Sequence, residues 1–121
     1  MKKFTDLIVW QESHKLVIQI YKCTKSFPKS EMFGLTNQMQ RASISVTSNI
    51  AEGFGRWSAR DKTHFYHQAR GSLLELQSQI FIAQDLKYLD EKISSELLEK
   101  VEKTNIILLG LIKSTQRKIE G

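Results

Sequence analysis

The chain has 121 residues, with 18 basic against 13 acidic side chains, one cysteine, one proline and six glycines. That length makes one domain of ordinary size, able to bury roughly two thirds of its unfolded surface, and so few turn residues exclude a protein built of many short strands. Cys23 alone cannot form an internal disulfide, no uncharged stretch approaches the ~20 apolar residues that cross a bilayer, and no apolar signal core follows Met1-Lys2-Lys3-Phe4, so a reducing cytoplasm is the expected compartment and no membrane association is expected.

The net charge of +5 is unevenly spread: residues 1–30 carry six Lys against Asp6 and Glu12, while residues 31–86 balance five basic with five acidic groups. Such a balance suits attraction to nucleic acid and is equally common in proteins that bind none.

Leu7, Trp10, His14, Val17 and Tyr21 recur at alternating spacings of three and four, which at about 100° per residue places them on one face. The spacing predicts a first helix over residues 5–26 with that face as its core and His14 as a hydrogen-bonded core imidazole. Val9, Leu16, Ile20, Cys23 and Phe27 form a second apolar line, about 120° around the same helix by the same arithmetic. A solitary bundle needs only one such line, so the second is read as a contact with another copy; the alternative is a broad core face with scattered surface apolar residues.

Pro28 disfavours helical geometry at Phe27, and Met32, Leu35, Met39, Ala42, Val46 and Ile50 then predict a second helix over residues 32–55. Beside that stripe, Arg41, Ser45, Ser48 and Glu52 build a polar one. Gly53 and Gly55 supply backbone freedom to end the helix, and Ser58 followed by Asp61 resembles a capping box opening the next. So short a break makes an antiparallel hairpin. Phe65, Ala69, Ser72, Leu76, Ile80 and Ala83 give the core stripe of a third helix, residues 58–86, from which Leu74 and Phe81 face away and join the expected association surface. After a loop at Lys87–Asp90, Ile93, Leu97, Val101, Thr104, Leu108, Leu111 and Thr115 predict a fourth helix over residues 91–118. The architecture that follows is all-α: a single domain, residues 1–121, folded as an antiparallel up-down-up-down four-helix bundle.

Little in the chain points to catalysis. Carboxylate-bridged metal bundles need Glu-x-x-His pairs, which are absent from the sequence, and His64 with His67 makes a pair of ligand types without a third. No nucleophile with an adjacent base and no phosphate-binding glycine loop is found. The chain is read as a non-enzyme, with no catalytic residue, metal or cofactor assigned. With the hairpin closing near Trp57, Arg41 comes level with Leu73 and reaches Glu75, an interhelical ion pair that fixes register; Glu52 and Arg56 make a pair along one helix.

Two functions of different kind remain. In the first, Arg41, Arg56, Arg60, Lys62 and Arg70, multiplied by subunit symmetry, neutralise the phosphates of RNA or DNA without reading bases. In the second, the chain is an oligomeric interaction scaffold or accessory protein whose apolar lines mediate self-assembly and docking of a protein partner.

FPKSEMFGLTNQMQRASISVTSNIAEGFGR, with ARGSLLELQSQI and the opening DLIVWQESHKL, resembles the 23S ribosomal RNA intervening-sequence protein family, the small bacterial four helix bundle proteins. The likeness runs from about Phe4 to Ile112. It implies a left-handed bundle of four antiparallel helices, assembled as a ring-like homopentamer, without known catalytic activity. Some members are encoded inside insertions in 23S ribosomal RNA genes, and related accessory proteins of diversity-generating retroelements are basic pentamers associated with reverse transcriptase and nucleic acid. Where the family pattern often has two adjacent basic residues, this chain has Gln40-Arg41.

Overall fold

A computed structural model describes residues 2–120, and every regular element in it is helical. A 3-10 turn at Phe4–Asp6 precedes α1 (Ile8–Thr24); a second, at Lys29–Glu31, precedes α2 (Leu35–Phe54); α3 (Ala59–Asp85) and α4 (Glu91–Glu120) complete the chain. No helix among the described residues is long and apolar enough to cross a membrane.

Local hydrogen bonding sets the boundaries. The Asp6 carboxylate accepts from the backbone N–H groups of Lys2 and Lys3, both at 3.2 Å, which winds the first residues into their own turn and delays α1 to Ile8. Glu31 delays α2 in the same way. Its carboxylate accepts from the Leu35 N–H at 3.1 Å and from the Tyr88 hydroxyl at 2.9 Å, tying the turn before α2 to the connection between α3 and α4. Those two bonds, the Leu35 amide first, hold the Glu31 carboxyl below its ordinary pKa. Met32 and Phe33 therefore stand outside α2, exposed, where the apolar spacing had placed Met32 within it.

α3 opens as its sequence requires, with the Ser58 hydroxyl accepting from the Asp61 N–H at 3.0 Å. It closes on Lys87, whose φ of 66° lies in the left-handed region. The Lys87 and Tyr88 N–H groups bond back to the carbonyls of Gln84 and Ala83, at 3.0 and 2.9 Å, a pattern normally completed by glycine. Lys87→Gly is expected to raise stability by about 0.5–1 kcal/mol, read as a higher midpoint in urea unfolding.

Each helix packs on its neighbour in the chain and α4 closes against α1, so that among the described residues the backbones of diagonal helices do not come close. Gln40 near the start of α2 donates to the Thr24 hydroxyl at the end of α1, and Gln116 near the end of α4 lies 3.4 Å from His67 near the start of α3, so adjacent helices run antiparallel. The core holds Met39, Ala42, Val46 and Ile50 from α2, Tyr66, Ala69, Leu73, Leu76, Ile80 and Ala83 from α3, and Leu97, Val101, Leu108 and Ile112 from α4.

Helix α1 reverses the expected assignment of its two apolar lines. Val9, Leu16, Ile20 and Phe27, expected to face another copy, lie inside the bundle, with Leu16 and Ile20 only 1% and 0% exposed. Of the line expected to form the core, Leu7 is buried as expected and Trp10 packs half-buried against the core, but Val17 is only half-buried and His14 and Tyr21 are exposed, His14 as a ring stacked on Trp10 at 4.9 Å rather than a core imidazole. Three polar residues explain the reversal, because the inner line shares its face with Glu12, Ser13 and Thr24, all buried. The Ser13 hydroxyl donates to the Val9 carbonyl at 2.7 Å and Thr24 to the Ile20 carbonyl at 2.8 Å, so neither carries an unmet hydrogen bond into the core. Buried Ser43, Thr63, Ser94, Thr104 and Thr115 satisfy themselves on their own helices in the same way.

Glu12 is the charged member of that face. Its carboxylate is clamped between Lys103 of α4, at 2.6 Å, and Lys15, at 3.2 Å. The hydrogen bond to Lys103, then that to Lys15, hold the Glu12 carboxyl below 4.5 against the opposing effect of desolvation. A depressed carboxyl pKa stabilises the fold above the unfolded value and loses that contribution as pH falls through the folded one. Glu12→Gln is thus expected to be less stable than the parent at neutral pH, with the gap closing below about pH 4.5 in thermal melts.

Candidate functional site

The antiparallel order gathers the start of α1, the α2–α3 connection and the end of α4 at one end of the bundle. Arg56, Arg60 and Lys62 share that end with Lys113, Arg117 and Lys118 of the last turns of α4, Lys62 lying close enough to Lys118 to feel its charge, and Lys2 and Lys3 precede the turn that packs on α1 and α2. Glu52 and Asp61 are the acidic groups of the connection itself.

The connection is held on both sides. Gly55 and Arg56 donate their N–H groups to the carbonyls of Ala51 and Gly53, each at 3.2 Å. The Arg56 guanidinium pairs with the Glu52 carboxylate, the along-helix pair the sequence implied, and lies 4.6 Å over the Phe65 ring. Lys62 does more structural work than its sequence position suggests: its Nζ donates to the Phe54 carbonyl at 2.7 Å, meeting one of the acceptors left open at the end of α2. Burial, then the neighbouring charge of Lys118, hold the Lys62 ammonium below its ordinary pKa, which also places α4 beside α3 here. Arg60 and Lys118 are exposed and stand outside the ion pairs found among the described residues. Trp57, between Arg56 and the Ser58 cap, is fully exposed at 100%.

Two of the five arginine and lysine candidates lie away from this end. Arg41 lines a groove between α2 and α3 with Ala42, Ser45, Ser72 and Glu75. The expected Arg41–Glu75 ion pair is not formed: Glu75 accepts from Gln79 at 3.2 Å, and the groove is bridged by the Ser45 and Ser72 hydroxyls, 2.8 Å apart. Register is not the reason: Ser45 faces Ser72 rather than Ala69, three residues further along α3 than a hairpin closing near Trp57 requires, which brings Arg41 level with Leu76, next to Glu75, and the Glu75 carboxylate is taken up by Gln79 on its own helix instead. Arg70 is half-buried, with its Nε shielded from water and unpartnered.

His64 and His67 line an open groove with Gln68, Gly71, Ser72 and Glu75. Among the described residues no three His, Cys, Asp or Glu side chains come together to hold a metal ion. Burial pushes the Cys23 thiol up to about 11, leaving it protonated and unreactive at neutral pH.

The sequence reading missed Trp57, Lys113, Arg117 and Lys118 as members of the basic end. The signal for Trp57 was its place between the glycine that ends one helix and the serine that caps the next, where a side chain has no helical face to share with the core. For α4 the signal was the antiparallel order, which returns the last basic turn to the start of α3.

A model of the 23S rRNA-intervening sequence protein family matches residues 5–110. Among solved structures, the chain is similar to a protein of unknown function from the S23 ribosomal protein family of Bacteroides thetaiotaomicron, with 19% identity, a TM-score of 0.81, and coverage of 88% of this chain and 99% of that one. No curated protein sequence matches the chain.

Proposed function

The chain belongs to the 23S rRNA-intervening sequence protein family, and from that premise we propose that it is a non-enzymatic, homo-oligomeric bundle that binds RNA or DNA by its phosphates. The observation that carries the reading is the gathering of Arg56, Arg60, Lys62, Lys113, Arg117 and Lys118 at one end, against Asp6, Glu52 and Asp61. Arg60 and Lys118 supply charge that the fold does not consume, whereas Lys62 is engaged by the Phe54 carbonyl. Arg41 and Arg70 belong to other surfaces and are secondary.

Self-assembly multiplies this end. In a ring of cyclic symmetry, such as the homopentamer implied by the resemblance, every copy presents the same end on the same side. The residues available for association are Leu74 and Phe81 on α3, 42% and 50% exposed, together with Ile106 of α4 and the outer line of α1. Val9, Leu16, Ile20 and Phe27 take no part, because the core of each copy already contains them.

Filter binding of labelled RNA across a salt series tests the reading. The logarithm of affinity is expected to fall linearly with the logarithm of salt concentration, and Arg60→Glu with Lys118→Glu to flatten that line by about 0.7–0.9 for each phosphate contact removed. RNA that is not retained even at low ionic strength would refute it. The exposed apolar residues Phe4, Tyr21 and Ile44 of the α1–α2 side favour a second reading in that case, an oligomeric scaffold or accessory protein that docks a protein partner.

A further inference from the structure

Tryptophan is seldom left wholly in water, because its large apolar surface gains so much from burial. Trp57 is an extreme case, and slack in its loop is not the reason. The backbone on its N-terminal side is fixed by the Gly55 and Arg56 hydrogen bonds and by the Arg56 guanidinium set over Phe65; on its C-terminal side the Ser58 cap starts α3. The indole is thus presented from a held platform and touches none of the aromatic rings with which Phe4, Trp10, Phe27 and Phe65 pair elsewhere.

Its surroundings select the partner. Arg56, Arg60, Lys62 and Lys118 make the neighbourhood positive, which favours a polyanion over a neutral or basic protein surface. An indole offers a broad π-face and a single N–H donor, well matched to a stacking nucleobase and poorly to direct phosphate contact. Bases inside a duplex are already stacked on one another. Resting on the nucleic-acid reading above, we propose that Trp57 is a stacking platform for an unpaired base, so that the basic end prefers single-stranded nucleic acid to duplex. Arg60 and Lys118 hold the flanking phosphates while the indole takes the base between them.

Fluorescence anisotropy with the intact protein, a labelled oligo-uridine RNA and a blunt RNA duplex tests this. Trp57→Ala is expected to weaken oligo-uridine binding roughly tenfold, with its salt slope unchanged because no phosphate contact is lost, and to leave duplex binding alone; Trp57→Phe is expected to keep most of the affinity. In a Trp10→Phe background, the emission of Trp57 is expected to be quenched as oligo-uridine binds. Wild-type binding that Trp57→Ala leaves untouched would overturn the stacking role and spare the nucleic-acid reading. An equal loss on single strand and duplex would also overturn it, and so would a Trp57→Ala protein that sediments at lower mass, which would place the indole between copies of the chain. Failure of the wild type to bind either probe at low salt would remove both.

Discussion

Leu16→Glu is expected to unfold the protein rather than to split an assembly of folded copies. Leu16 is 1% exposed and lies on the inner line of α1 with Val9 and Ile20. Removing a fully buried leucine forfeits about 1.5–3 kcal/mol of transfer free energy, and an unpaired carboxylate in its place adds a desolvation cost of at least comparable size. The total approaches the ~5–15 kcal/mol that holds a domain of this kind together. Circular dichroism at room temperature is expected to show loss of most helical signal, and Leu16→Ala, which only opens a cavity, to cost about 2–5 kcal/mol in urea unfolding. Tyr21→Glu on the outer line is the control and is expected to stay folded. A Leu16→Glu protein that remains helical while sedimenting as a single copy would mean that the inner line faces other subunits.

The second large effect is at Gly53. This glycine lies inside α2 with an ordinary helical backbone, so the freedom to end a helix is not what it supplies. A Cβ there would stand 2.7 and 2.9 Å from Cε1 and Cδ1 of Tyr66 and 3.1 Å from Cβ of Phe65. Tyr66 is 2% exposed, and the close atoms belong to its rigid ring rather than to the far end of a flexible chain. The absent side chain lets α2 and α3 approach where their hairpin closes. Gly53→Ala is expected to destabilise by about 1–3 kcal/mol even though alanine is the better helix former, and Gly53→Val by more. Gly71 and Gly110 give the contrast, because a Cβ at either meets nothing within 4 Å. Alanine at those positions is expected to stabilise by about 0.5–1 kcal/mol, and urea midpoints of the three variants check the sign at each.

How far the sequence speaks depends on which physical effect dominates at each place. The four helices, the Ser58 cap and the loop at Lys87 were legible because periodicity and capping are local. The core stripes of α2, α3 and α4 were largely legible too, since one apolar line ran along each. α1 carries two, and the choice between them was made by residues that hydropathy undervalues: Glu12 reaching Lys103 on α4, and Ser13 and Thr24 bonding to their own backbone. The Arg41–Glu75 pair fails for a different reason: both residues line one groove, but the Glu75 carboxylate is taken by Gln79 one turn along its own helix, a local competition that inter-helix spacing does not reveal. For the candidate site, Arg56, Arg60 and Lys62 could be found because they are adjacent in the chain. Lys113, Arg117 and Lys118 needed a further step, because they join that end only through the antiparallel return of α4 that the bundle architecture implies.

The account turns on the basic end meeting nucleic acid directly. Photo-crosslinking of the intact protein to an RNA carrying 4-thiouridine, followed by mass spectrometry of the peptides, tests that most directly. Adducts are expected on the α2–α3 connection around Trp57 and Arg60 and on the last turns of α4 around Lys118. Adducts confined to the outer face of α1, at Trp10 or Tyr21, or none at the basic end under low salt, would contradict it.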